Sequence, residues 1–297
     1  MVLPSSRGRP LESVLTKVSM IDEITAQLYE RVRIKPQNRL LIEAIDGPGD
    51  PPKMAIGADV CVVLVPGLLY RQFPDTGADG TAIRDIANAM SIPFLTIPLD
   101  GTEGLEASAA TIGEWLQFHV PPAKAIVLVS LSKGSAEVMH AIARFDIRPA
   151  FQRVIAWISV SGLPLGTPSM ELIMRNPLRR AFLSAYCLVR GWKLGPIREV
   201  LAHRPWQGEL LPPHIMLIQV VAFPLHEHLT DRPSRRLHLQ LAKIGPSDGY
   251  ALLDELARLP GYLYPVWGAD HYLRGMDELP ARLAKDLAFV LETARRS

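Results

Sequence analysis

The sequence predicts an α/β protein: a mostly parallel central sheet flanked by helices, with a helical insertion. Three observations carry that expectation. Short, near-continuous apolar runs rich in Val, Ile and Leu recur along the chain, as expected of strands buried on both faces. Segments of helical period alternate with them. A Pro-rich segment without a buried strand interrupts the alternation once.

The elements follow in order. Residues 11–32 carry Leu15, Val18, Ile21, Ile24 and Leu28 at helical spacing and predict an N-terminal amphipathic helix. GPGDPPK at 47–53 is a break. Residues 60–67, VCVVLVPG, read as a buried strand ending on Pro-Gly. A helix at 81–90, a strand at 92–100 and a helix at 107–119 come next. The third strand, 125–130, leads into a helix at 134–144, and 154–162 is the fourth strand. Residues 215–223 and 262–268 are two further strands, and 276–296 form a closing helix.

Residues 163–213 hold Pro164, Pro168, Pro177, Pro196, Pro205, Pro212 and Pro213. Within them, 170–192 is amphipathic and rich in large apolar groups, among them Leu172, Ile173, Met174, Phe182, Leu183 and Trp192. An insertion between parallel strands emerges where such sheets hold ligands, so the segment is expected to cap the carboxyl edge. The resulting organisation is an N-terminal helical extension packed on the core (1–55), a core (56–162 and 214–297) and a cap (163–213).

Composition limits the function classes. The 297 residues are 48% hydrophobic and 21% charged, with net charge +2, an ordinary globular balance with no field that points to nucleic acid. No apolar stretch reaches the roughly 20 residues of a membrane span. The first residues lack the apolar core of a secretory signal, and Cys61 and Cys187 read as reduced buried thiols; both observations lead to a cytoplasmic expectation.

The chemistry centres on Ser130-Leu131-Ser132-Lys133-Gly134, between a predicted strand and helix. A sharp strand-to-helix turn can raise its middle residue above a sheet edge if the residues two before and two after are small, the G-x-S-x-G pattern. Gly134 meets that need. Ser130 stands for the first glycine, crowds the turn and is where strain is expected. A lone S-x-S-x-G also fits a capped turn, because serine is a common helix cap.

A serine nucleophile needs a base. Of eight histidines, His140 lies too far along the following helix, and His119 precedes the third strand at the opposite edge. His226 and His228 lack a third metal ligand and read as a solvated loop. His271, in GADHYL after the last strand, emerges at the same edge as Ser132. The group orienting His271 is expected on the loop before the last strand. Asp248, in Pro-Ser-Asp-Gly, is the first choice and Asp231 the second. Asp270 directly precedes His271, and its side chain should diverge from the ring. The chain order Ser132, Asp248, His271 is that of one of the three known triad arrangements. The oxyanion donors are expected to be the amides of Lys133 and Leu68, with Lys133 also placing a charged head at the helix start. Gly67, Leu69 and Arg71 on the first loop, with Leu163 and Phe182 of the insertion, are the expected substrate-binding residues. Arg71 reads either as a ligand of an acidic substrate group or as a surface ion-pair partner.

Residues 58–162 and 215–294 resemble the α/β-hydrolase fold superfamily of serine hydrolases. The resemblance rests on Pro66-Gly67, the stretch 130–134, Ser247-Asp248-Gly249 and the stretch 268–271. It implies an eight-stranded, mostly parallel sheet. It also implies hydrolysis of an ester, thioester or amide through an acyl-enzyme, with Ser132 attacking and His271 acting first as base and then as acid. The expected partner is a small-molecule ester or acyl substrate, with no metal and no cofactor. Two other readings remain: an acyltransferase or thioesterase acting on a carrier-bound acyl group, and a non-catalytic binding module on the same fold.

Overall fold

A computed structural model of the chain describes residues 9–48, 60–73, 76–122, 124–204, 207–208, 211–273 and 278–296. Residues 49–53 of the predicted break, the expected domain boundary at 55/56 and residues 276–277 of the closing helix lie outside the described residues.

Helices α1 (Arg9–Arg33) and α2 (Pro36–Asp46) precede β1 (Val60–Val65). Then come α3 (Thr81–Ala89), β2 (Phe94–Thr96), α4 (Leu105–Glu114) running into a π-helical turn (Trp115–His119), β3 (Ala125–Leu131) and α5 (Gly134–Ala143). A 3₁₀ turn (Arg148–Arg153) leads to β4 (Val154–Val160), followed by α6 (Pro168–Arg175), α7 (Pro177–Val189) and α8 (Leu194–Leu201). The chain returns as β5 (Met216–Phe223), a 3₁₀ turn (His226–His228), α9 (Arg232–Leu241), α10 (Leu253–Leu256), β6 (Tyr262–Trp267) and α11 (Leu279–Arg296).

Among the described residues the sheet has six strands, in the order β2-β1-β3-β4-β5-β6, every neighbouring pair parallel. That differs from the eight strands implied by the resemblance. Its two faces bury alternate residues of each strand. Val63, Val65, Leu128, Trp157 and Phe223 pack with α1, α4 and α5 on one side. Val62, Leu64, Val127, Val129, Ile158 and Val220 pack with α2, α3 and α11 on the other. Burial on both faces is why these strands read as unbroken apolar runs. Each fully buried Val, Leu or Ile contributes about 1.5–3 kcal/mol.

Two predicted elements change at prolines. The expected 92–100 strand is only Phe94–Thr96, because Pro93 and Pro98 bracket it and proline cannot donate to a ladder. The N-terminal helix is followed by a second one, which begins at Pro36, a residue suited to the first helical turn. This pair guards the β6 edge: Leu263 N–H donates to Asn38 Oδ1, and Asn38 Nδ2 donates to the Val32 carbonyl. A side-chain amide thus pairs an edge-strand donor left without a neighbouring strand.

Candidate active site

The β3–α5 turn carries the candidate nucleophile. Ser132 has φ +45°, the left-handed region that a side chain occupies only when its surroundings impose it. Three backbone bonds do so: Ser132 N–H donates to the Val160 carbonyl at 3.1 Å, and its own carbonyl accepts from Leu163 N–H at 3.0 Å and Ser135 N–H at 3.1 Å. Gly134 has no room for a side chain, since a Cβ there would lie 2.7 Å from the carbonyl oxygens of Val65 and Pro66.

Ser130 corrects an expectation. The left-handed φ belongs to Ser132, not to Ser130. Ser130 stays in regular register opposite Val65 and Ser159. Its buried hydroxyl accepts from Trp157 Nε1–H at 2.7 Å and pairs with Ser135 Oγ at 2.8 Å, which pairs in turn with Ser159 Oγ at 2.9 Å. Gly162 closes over this chain of hydroxyls, where a Cβ would collide with Ser159 Oγ and Ser135 Oγ.

The Lys133 head does lie at the start of α5, but buried: Nζ donates to Glu137 Oε1 at 2.5 Å within the first turn. Burial pushes the Glu137 carboxyl upward, and the Lys133 charge opposes that shift.

The structure brings Ser132, His271 and Asp248 together. Gly268, at φ +74°, turns the chain after β6. His271 then lies with Nε2 3.0 Å from Ser132 Oγ and Nδ1 2.7 Å from Asp248 Oδ2. Asp248 is buried, and its other oxygen accepts from Tyr250 N–H at 2.9 Å and Ala251 N–H at 2.7 Å. That turn fixes the carboxylate before it meets the ring. The second-choice acid, Asp231, instead caps α9, accepting from Ser234 N–H at 2.8 Å. Asp270 Oδ1 accepts from Tyr272 N–H at 3.0 Å within its own turn.

Several residues that sequence reasoning passed over hold this acid loop. His238 of α9 is fully buried and donates from Nδ1 to the Ser247 carbonyl at 2.9 Å. Burial holds its imidazole below the ordinary histidine range. Thr167 Oγ1 donates to the Tyr250 carbonyl at 2.6 Å, and Ser169 Oγ to the Gly249 carbonyl at 3.2 Å. The Tyr250 ring lies against His271 with centroids 4.6 Å apart. Thr167 and Ser169 reach main-chain carbonyls about 80 residues away in sequence, contacts that leave no local pattern for composition to reveal.

A cavity of about 350 Å³ opens at Ser132 and His271. Of the residues expected to bind substrate or oxyanion, Leu68, Leu69, Lys133 and Leu163 line it. Among the described residues, the amides of Leu68 and Lys133 make no backbone hydrogen bond outside regular helices and strands. Three expectations do not match. Gly67 is not at the wall; its N–H donates to the Ala78 carbonyl at 2.9 Å and sets the loop that presents Leu68. Arg71 is exposed and turned onto Tyr70, with Nε 2.9 Å from its hydroxyl and the guanidinium 5.3 Å from its ring centroid. Phe182 is 75% exposed on α7 and away from the cavity, because α7 turns that face outward. Among the described residues no three His, Cys, Asp or Glu side chains are grouped to hold a metal ion.

A hydroxyl bonded to an imidazole, itself anchored by a buried carboxylate, is an arrangement able to activate the hydroxyl as a nucleophile.

No protein-family model and no curated protein matches the chain. Solved structures do. A carboxyl esterase from a metagenome shares 21% identity over 80% of this chain and 76% of its own, at a TM-score of 0.60. The mature form of a Bacillus licheniformis lipase shares 18% identity over 83% of this chain and 96% of its own, at a TM-score of 0.51. With its parallel sheet and flanking helices, the chain has the α/β-hydrolase fold.

Proposed function

We propose that the protein is a serine hydrolase that cleaves a carboxylic ester through an acyl-enzyme. The observation that carries this reading is the continuous line Ser132 Oγ–His271–Asp248, with contacts of 3.0 and 2.7 Å, opening into a largely apolar cavity. The carboxyl esterase and lipase of like fold agree with it.

In this reading Ser132 Oγ attacks the ester carbonyl while His271 Nε2 takes its proton. Asp248 holds the ring with Nδ1–H toward the carboxylate and stabilises the imidazolium that forms. The amides of Leu68 and Lys133 receive the oxyanion; one such donor is worth on the order of 100- to 1,000-fold in rate. His271 returns the proton to the leaving alcohol. Water, activated by the same imidazole, then releases the acid. Leu68, Leu69 and Leu163 make the walls apolar, which favours an apolar acyl or alcohol group.

The test combines fluorophosphonate labelling with turnover of a graded series of p-nitrophenyl esters. Labelling at Ser132 and turnover of short or medium chains, both lost in Ser132→Ala, are expected. An unlabelled, inactive wild type would leave only a binding module on this fold. A thioester series with an added alcohol acceptor separates hydrolysis from thioester cleavage or acyl transfer by product analysis.

A further inference from the structure

Helix α7 is built inside out. Of its thirteen residues only Cys187 is buried. Leu178, Phe182, Leu188 and Val189 are 81, 75, 80 and 84% exposed. At 3.6 residues per turn Leu178, Phe182 and Val189 fall within about 40° of one another, so they form one outward stripe. These side chains stand out from the surface instead of lining a groove. The apolar band continues through Tyr186 and Trp192, whose rings are 5.7 Å apart, to Phe73, 6.2 Å from Trp192, at the cavity wall.

The segment that carries this stripe is rich in cations and is bounded by Glu171, which pairs with Arg175 at 3.5 Å, and by Glu199. Residues 172–198 contain Arg175, Arg179, Arg180, Arg190, Lys193 and Arg198 and no Asp or Glu, although the whole chain is only +2. The rest of the chain is therefore net acidic, and the cations are concentrated where the apolar groups protrude. Arg190 lies over Trp192 at 5.3 Å, placing a cation beside the band.

We infer that α7 is a peripheral docking element for the surface of an anionic lipid bilayer. A helix carrying Leu, Phe and Val on one side with Arg and Lys beside them lies in the headgroup plane with its apolar side chains in the acyl boundary. Protruding side chains fit a deformable bilayer better than a preformed protein groove. Among the described residues no helix is long and apolar enough to cross a membrane, so the mode is surface attachment. With α7 seated, the Trp192–Phe73 end of the band puts the cavity mouth next to the bilayer.

The test is co-sedimentation of the full chain with phosphatidylcholine vesicles, with and without phosphatidylglycerol, at low and high salt. Partition onto phosphatidylglycerol vesicles, weakened by salt, is expected. Leu178→Asp with Val189→Asp should lower it at least about tenfold. Arg190→Gln and Lys193→Gln should each lower it about fivefold on anionic vesicles and leave phosphatidylcholine unaffected. Circular dichroism and turnover of a soluble short-chain ester should not change, which separates lost docking from lost folding. Binding is read without hydrolysis, so the result stands apart from the reaction assigned above. A wild type that stays in the supernatant, or variants that partition as the wild type does, would overturn the inference. So would sedimentation equilibrium showing that the apolar stripe joins two copies of the chain without vesicle binding.

Discussion

The elbow at Ser132 and helix α7 are both polar–apolar mixtures, yet they solve opposite problems. At the elbow, Ser130, Ser135, Ser159 and Trp157 satisfy one another in a buried chain of hydrogen bonds, and a strained Ser132 is held by three backbone contacts. In α7 large apolar side chains face solvent and only Cys187 is buried. Geometry at the elbow is over-determined by neighbours on three strands. Helix α7 is held by its own caps, Pro177 in the first turn and Asn176 accepting from Arg179 N–H, and by neighbouring helices of the insertion. Chemistry that needs sub-ångström placement suits the first kind of site. A surface that meets varied partners suits the second.

Substitutions at the two places should therefore differ in scale. The largest loss is expected at Ser132→Ala or His271→Gln, with turnover down by about a million-fold and thermal unfolding little changed. Asp248→Asn should cost about 10,000-fold if the carboxylate sets the ring tautomer. A loss below tenfold in steady-state assays would assign Asp248 a purely structural part.

Next comes Ser130→Ala. It leaves the Trp157 indole N–H buried without a partner, which costs about 1–3 kcal/mol. A lowered denaturation midpoint with an unchanged denaturant slope is the expected result. An unchanged midpoint would mean that the hydroxyl chain is not what anchors the elbow.

A smaller effect depends on pH. His238 is held below its ordinary value, near 6.5, by burial. Between that value and the lower folded one, the unfolded chain takes up a proton that the native imidazole refuses, so stability declines as pH falls below about 6.5. The decline should shrink in His238→Asn, as followed by urea unfolding across that range. The smallest effect belongs to α7: Phe182→Ala should change stability by less than about 0.5 kcal/mol and leave soluble-ester turnover unaltered. A large rise in KM would return Phe182 to the substrate site.

Strand positions were legible from sequence because burial on both faces writes itself as uninterrupted Val, Ile and Leu. Ser132, Asp248 and His271 were legible as candidates because each follows a strand or its loop at one edge, in chain order. The choice of Asp248 over Asp231 was only a lean. It takes the fold to show Asp231 occupied as a helix cap and Asp248 2.7 Å from the ring. Phe182 is away from the cavity because amphipathicity gives a helix an apolar side without saying which way it faces, and Arg71 because a loop side chain takes whatever neighbour the turn offers, here Tyr70.

Sequence alone determined the alternating α/β pattern, the small residues of the elbow and the order of its polar partners, since all of these follow from local sterics and periodicity. Tertiary structure decided what locality cannot hold. Lys133 is buried because Glu137 awaits it, and Ser130 is accommodated because Trp157 lies 2.7 Å away on the next strand. Thr167, Ser169 and His238 position an acid loop to which no short-range pattern connects them. Burial and hydrogen bonding between distant segments are properties of packing, and packing is set only when the layers meet.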